Sequence, residues 1–284
     1  MNNIAESVRA RLLNYSKKKE ELFQDVLTRF ALERLLYKIS VSPYADRFLL
    51  KGSLLFAVWY GMMHRPTRDA DLLGFGTNDK KVVGEIFKEI AAIHVLDGIE
   101  FDADSVRTSD IRKEEKYLGV RVIVSGTLAK ARCKVQVDIG FGDKVTLEPS
   151  VSEYPVLLKE LPAPRLRIYP VYTAISEKIH AIVQHGIPNG RMKDYYDLSV
   201  LLARETLDMH TLAQAIKATF DRSGHPLPQG IPIGLSDKFS ADEGQLAMWS
   251  AFLRKNRLQS EPLFNVVKVL RESLMPAISL ASRL

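Results

Sequence analysis

FLLKGSLLFAVWYGMMHRPTRDADL, residues 48–72, decides how this chain is read. A short apolar run at 48–50 leads through Lys51 into Gly52-Ser53, and an apolar, helix-like segment follows. The stretch closes on Arg65-Pro66-Thr67-Arg68-Asp69-Ala70-Asp71-Leu72. Residues two apart in a strand share a face, so Asp69 and Asp71 stand side by side, flanked by the apolar Ala70 and Leu72. Adjacent carboxylates repel unless a cation sits between them. A pair of divalent ions is the usual answer, and it suits in-line attack on a phosphate. The alternative is two surface acids at a strand end.

Gly52 and Ser53 fall where a strand turns into a helix. Glycine lets the backbone approach a phosphate, helix N-terminal amides attract anions, and the Ser53 hydroxyl can donate to a phosphate oxygen. A serine N-cap without a ligand is the plainer reading, and both roles can coexist. Arg65 offers either a bidentate fork to phosphate or an ion pair that positions the strand. Thr67 lies two residues before Asp69, with its hydroxyl near the acids if the strand already begins there. Phosphorylation at Thr67 would set a dianion beside two carboxylates and block the site.

Outward from this stretch the periodicity gives the elements. Residues 4–39 read as one or two amphipathic helices, with Leu22, Val26, Phe30 and Leu35 at helical spacing. A strand is predicted over 47–51, a helix over 53–63 and a strand over 69–75. Asn78 is placed to cap a helix over 79–93, and a strand follows near 99–107. Residues 117–125 and 132–141 read as a hairpin. In its second arm Val135, Val137, Ile139 and Phe141 take one face, and Lys134, Gln136 and Asp138 the other.

The stretch 149–170, with five prolines, reads as a connection. Helices are predicted after it at 173–185, stopped by Gly186 and Pro188, and at 193–204 and 208–222. Ser240-x-x-Glu243 is read as a capping box, Pro262 as a first-turn proline and Pro276 as an interruption of the last helix. The fold class is therefore α/β: a mixed sheet with helices over residues 1–165, followed by an all-helical domain over 166–284.

Composition narrows the class. The 284 residues carry a net charge of +6 and a pI near 9.2, compatible with nucleic acid or a nucleoside triphosphate without being diagnostic. The single cysteine, Cys133, excludes an internal disulfide and a cysteine zinc cluster and fits a reducing cytosol. The N-terminus lacks the apolar run of a signal peptide, and no apolar stretch is long enough to span a membrane.

Gly-Ser, a helix, then Asp-x-Asp between apolar residues resembles the polymerase-β-like nucleotidyltransferases. The narrower Arg65-x-Thr67-x-Asp69-x-Asp71 resembles the AbiEii/AbiGii toxin family of bacterial abortive-infection and toxin–antitoxin systems. Two later segments carry the resemblance on: Ile175-Ser176-Glu177-Lys178-Ile179-His180-Ala181 and Arg191-Met192-Lys193-Asp194-Tyr195-Tyr196-Asp197-Leu198. The matches span about residues 48–200. One departure is the longer spacing from Ser53 to Asp69, read as an extra turn of helix.

The resemblance implies a nucleotidyltransferase fold, with a helical domain closing an active-site cleft. It implies Mg²⁺, two ions, held by Asp69, Asp71 and a third acid on a neighbouring strand. Asp138 is the candidate, with Asp102 or Asp104 as the rival. It aims Lys178 at the triphosphate; on pattern alone Lys178 is an exposed helix lysine. It makes the acid of Lys-Asp-x-x-Asp important, so that Asp194 orients Lys178 or Lys193 or acts on the acceptor. Arg191 and Lys193 add cations for the nucleotide. Tyr195 and Tyr196 are candidates to stack on a base, with at least one of them in the core, and His180 is read as packing.

The implied activity is that of a cytoplasmic toxin transferring NMP from an NTP to RNA, with the tRNA 3′ end foremost and a cognate antitoxin as partner. Nucleotidylation of a protein or small molecule is one alternative. A catalytically silent nucleotide-binding regulator is another, and the intact acid pair argues against it.

Overall fold

The computed structural model describes residues 2–113, 117–186 and 190–284. The chain divides into two compact units: residues 1–142 with 149–168, and residues 143–148 with 169–284. In the first unit two helices, α1 (Asn2–Lys19) and α2 (Phe23–Ser40), precede β1 (Phe48–Lys51). Then come α3 (Leu55–Tyr60), β2 (Asp69–Gly74), α4 (Lys80–Ala92), β3 (Ile99–Lys113), β4 (Tyr117–Leu128), β5 (Ala131–Phe141), β6 (Ser150–Glu153) and β7 (Arg165–Ile168). The strands form one sheet in the order β3-β4-β5-β2-β1-β7-β6. β2 runs parallel to β5, and β1 parallel to β7; the remaining neighbours are antiparallel.

One face of this sheet is apolar, built from alternate residues of its central strands. Leu50, Ala70, Leu72, Val120, Val122, Val124, Val135, Val137 and Ile139 are all buried. They share that face because Leu50 pairs with Leu72, Leu72 with Ile139, and Ile139 with Val120. α2 and α4 pack on the sheet, and Phe87 of α4 meets Phe48 of β1 edge-on at 5.6 Å. Each buried aliphatic side chain contributes about 1.5–3 kcal/mol. A one-residue slip of β2 or β5 would forfeit several of them at once, so the register is fixed and the polar set must turn to the other face.

α2 also carries a buried ionic group. Arg34 Nε donates to Asp97 Oδ2 at 2.8 Å, and its Nη1 donates to the Pro162 carbonyl at 2.9 Å. Glu33 accepts from the Leu157 amide at 2.7 Å. Burial pushes the Glu33 carboxyl up to about 7, against the opposing pull of that amide and of Arg34.

The second unit holds α5 (Val171–His185), α6 (Met192–Arg204), α7 (Met209–Ser223), α8 (Asp237–Ser240), α9 (Glu243–Asn256) and α10 (Leu263–Ala281). Its segment 143–148 is tied in by Thr173, which bonds both the amide and the carbonyl of Thr146, and by Asp143 beside Tyr169 and Arg222.

Several local expectations are corrected. α3 is a short helix behind a 3₁₀ turn at Gly52–Leu54, and it ends at Gly61 in the left-handed conformation. The extra length before Asp69 is therefore loop, not a further helical turn. Asp79, not Asn78, caps α4, accepting from the amides of Lys81 and Val82. The proline-rich connection contains the hairpin β6–β7, and β7 joins β1 through Leu50 and Ile168. Ser240 ends α8, and Asp242 caps α9 by accepting from the Gln245 amide at 3.0 Å. α10 continues through Pro276, because Leu274, Ala277, Ile278 and Ala281 bury one face on both sides of it. Pro188, read as a stop signal, lies outside the described residues.

Candidate active site

The alternation that sends the apolar residues inward sends the charged ones to the opposite face. There a row crosses four adjacent strands. Lys51 of β1 pairs in register with Asp71 of β2, Asp71 with Asp138 of β5, and Asp138 with Arg121 of β4. Register partners on neighbouring strands share a face, so one line of side chains reads Lys–Asp–Asp–Arg. Asp69 stands two residues along β2, opposite Gln136.

Each acid is engaged by protein. Thr67 lies just before β2, and its hydroxyl donates to Asp69 Oδ1 at 2.8 Å. Asp71 lies against the β1 turn. Gly52 has φ of 73°, and a Cβ there would come within 2.2 Å of Asp71 Oδ2, so only glycine lets the backbone pass. Asp138 accepts a bidentate fork from Arg121, Nε to Oδ1 and Nη2 to Oδ2, both at 2.8 Å. Gln136 Nε2 is the third donor to this carboxylate, meeting Oδ1 at 3.2 Å. Donation to Asp138 raises the Arg121 pKa above its already high value, and the charges of Asp138, Asp69 and Asp71 add to that.

Ser53 is buried at the head of the 3₁₀ turn, and Arg65 is half-buried in the loop before β2. Arg68 points away and pairs with Asp25 of α2 at 3.0 Å. Asp102 and Asp104 lie elsewhere. Asp102 pairs with Ser125, four residues along β4 from Arg121, and it accepts from the Asp104 amide in a local bend of β3. Of the three rivals for a place beside the Asp69/Asp71 pair, the fold puts Asp138 there.

The helical unit holds a charged cluster of its own. Lys178 of α5 donates to Asp197 Oδ2 at 2.7 Å and to Asp194 Oδ1 at 3.2 Å, both on α6. Arg191 Nε donates to Asp194 Oδ2 at 2.7 Å. Lys178 is only 13% exposed, Asp194 3% and Asp197 0%, so Lys178 is not the exposed lysine its place off the apolar stripe predicts. Burial pushes the Asp194 carboxyl up, but Lys178 and Arg191 together pull harder and leave it below the ordinary range. Lys193 is exposed. Tyr195 is core: its hydroxyl donates to the Gly234 carbonyl at 2.9 Å, and its ring stacks on Phe239. Tyr196 is half-buried near Trp249 and Phe252. His180 packs edge-on against Phe220.

Sequence reading missed Arg121 and Gln136. A signal for Arg121 was present: a two-residue turn at 129–130 pairs Leu128 with Ala131, and counting back along both arms sets Arg121 opposite Asp138.

A family model described as nucleotidyl transferase AbiEii toxin, type IV TA system, matches residues 34–272. The chain belongs to the AbiEii family. Its members are nucleotidyl transferase toxins of type IV toxin–antitoxin systems, and this AbiEii chain is accordingly read as a transferase. The match takes in both the sheet row and the Lys178 cluster. Among solved structures, JHP933 from Helicobacter pylori is 17% identical, with 88% of each chain covered and a TM-score of 0.47. A putative nucleotidyltransferase from H. pylori is also 17% identical, over 88% of this chain and 91% of that one, with a TM-score of 0.45. No curated protein sequence matches the chain.

The donors suit a hard divalent cation, since three carboxylates on one open face are the oxygen ligands that Mg²⁺ takes. They are not yet converged. Among the described residues no three acids, histidines or cysteines come together as a ready ion site. Asp138 is turned to Arg121, and Asp69 to Thr67. No helix of the described residues is long and apolar enough to cross a membrane.

Proposed function

We propose that this AbiEii chain transfers a nucleoside monophosphate from an NTP to RNA, with the tRNA 3′ end as acceptor, in the cytoplasm and under control of a cognate antitoxin. The observation that carries the reading is the register of Asp71 with Asp138, beside Asp69, on the polar face of the sheet next to the Gly52 turn. Asp69 and Asp71 would hold two Mg²⁺ ions, and Asp138 would complete the ligand set on the side of the attacking hydroxyl. Bound there, Mg²⁺ supplies charge neutralisation on the phosphates and a lowered pKa at that hydroxyl.

The chain's own groups do the rest. Gly52 gives the phosphates close access to backbone, and Ser53 donates to a phosphate oxygen. Arg65, Arg191 and Lys193 supply cations for the nucleotide, as does Lys178, whose ammonium Asp194 orients. Thr67 holds Asp69 through its hydroxyl. The acceptor oxygen forms a bond to the α-phosphorus, the bond from that phosphorus to the bridging oxygen breaks, and pyrophosphate leaves.

The test is incubation of the purified protein with Mg²⁺, each α-labelled NTP in turn, and total RNA. Label should enter a tRNA-sized band, with pyrophosphate released, and chelation by EDTA should abolish it. Label in protein alone would replace RNA as the acceptor. No label in any fraction with any NTP would refute the reading.

A further inference from the structure

Three carboxylates crowd one sheet face, and the guanidinium of Arg121 answers all three. It grips Asp138 with two bonds of 2.8 Å while Asp69 and Asp71 act on it through space. Asp138 is left with little to give. Oδ1 already accepts from Arg121 and from Gln136, and Oδ2 accepts from Arg121. To share an oxygen with its register neighbour Asp71 across a common cation, Asp138 must let go of at least one arm of the fork. Arg121 is free to yield, because its side chain is 39% exposed where that of Asp138 is 16%. A guanidinium so released keeps its planar fork on the same face, and a phosphate is the anion that fork fits.

We propose that Arg121 is the resident counter-cation of the acid row, displaced from Asp138 when a divalent ion binds and then turned onto a substrate phosphate. This rests on the metal-dependent reading above. It makes Arg121 a competitor of the metal in the free protein and a partner of the substrate afterwards. A merely structural ion pair would be neither.

The two roles predict opposite signs. Without nucleotide, losing Arg121 should tighten divalent binding, because Asp138 no longer has to be won from a cation. With substrate present, losing Arg121 should slow transfer. The experiment is titration of the full-length protein with Mn²⁺ alone, followed by calorimetry and by the manganese EPR signal, for wild type, Arg121→Gln, Arg121→Lys and Asp138→Asn. Arg121→Gln should bind Mn²⁺ about tenfold tighter, on the scale of a charge-assisted contact discounted for exposure. Arg121→Lys keeps the charge but loses the fork, and should fall between Gln and wild type. It also keeps the test decisive if the Gln variant does not fold. Without metal the Gln variant should melt lower than wild type, and Mn²⁺ should raise its melting temperature by more.

If wild type binds Mn²⁺, Asp138→Asn weakens it, and both Arg121 variants match wild type or bind more weakly, displacement is wrong while the metal reading survives. If neither wild type nor any variant binds Mn²⁺, the metal reading falls and takes displacement with it.

Discussion

The acid row of the sheet and the Lys178 cluster of the helical unit are made of the same chemistry, yet they are built to opposite ends. In the helical unit two aspartates and a lysine are almost sealed from water, with a net pairing that leaves Asp194 below its ordinary pKa. In the sheet three acids face outward with one fork on Asp138, and that fork is reachable by solvent. A buried pair has paid its desolvation in advance and loses heavily if one partner goes. An exposed pair is worth little and can change partners. The buried cluster thus holds its ion pairs firmly, while the open row is free to exchange a protein cation for another.

The largest effect should come from breaking the sealed side. Asp197→Ala takes from the buried Lys178 its 2.7 Å partner and should cost about 3–5 kcal/mol in urea unfolding. A loss below about 1 kcal/mol would place the cluster with surface pairs and erase the contrast. The next effect sharpens what burial alone does. Glu33 is as buried as Asp197, and there burial outweighs the Leu157 amide and Arg34, so its carboxyl sits at about 7 against an ordinary 4.5. The folded protein then keeps a proton that the unfolded chain has released. Stability should fall as pH rises from about 4.5 to about 7, by up to about 3 kcal/mol, and then level off. Glu33→Gln should flatten that slope in unfolding curves taken across the window; an unchanged slope would assign it elsewhere. The smallest effect belongs to the open row. Asp71→Asn relieves like-charge repulsion, so without divalent ions its melting temperature should stay level or rise, within about 1 kcal/mol of wild type. A marked loss of stability would mean the row is structural.

Legibility followed the same division. The turn from β1 into Gly52, the acids of β2 and the β4–β5 hairpin were readable because a period of two is written along each strand. Asp138 was readable as the polar-face acid near the end of β5 for the same reason. The helices of the second unit were readable from their stripes. What escaped was decided across space. β6 and β7 are four residues each among prolines, and only pairing with β1 makes β7 a strand. Asp79 outcompeted Asn78 because its carboxylate reaches two free amides. Arg121 looked like any polar-face residue until the hairpin register set it opposite Asp138. The seal around Lys178 could not be read from its own helix, since the acids that bury it come from the next one.

The central claim is that Asp69, Asp71 and Asp138 on the polar sheet face, and no other acids of that sheet, carry the transfer. Label transfer from an α-labelled NTP to RNA by Asp138→Asn and Asp104→Asn, run beside wild type with melting curves for each, tests it most directly. Asp138→Asn should remain folded and lose transfer by about two orders of magnitude or more, the scale of removing one preorganised charged group, while Asp104→Asn stays near wild type. A dead Asp104→Asn beside an active Asp138→Asn would contradict the account.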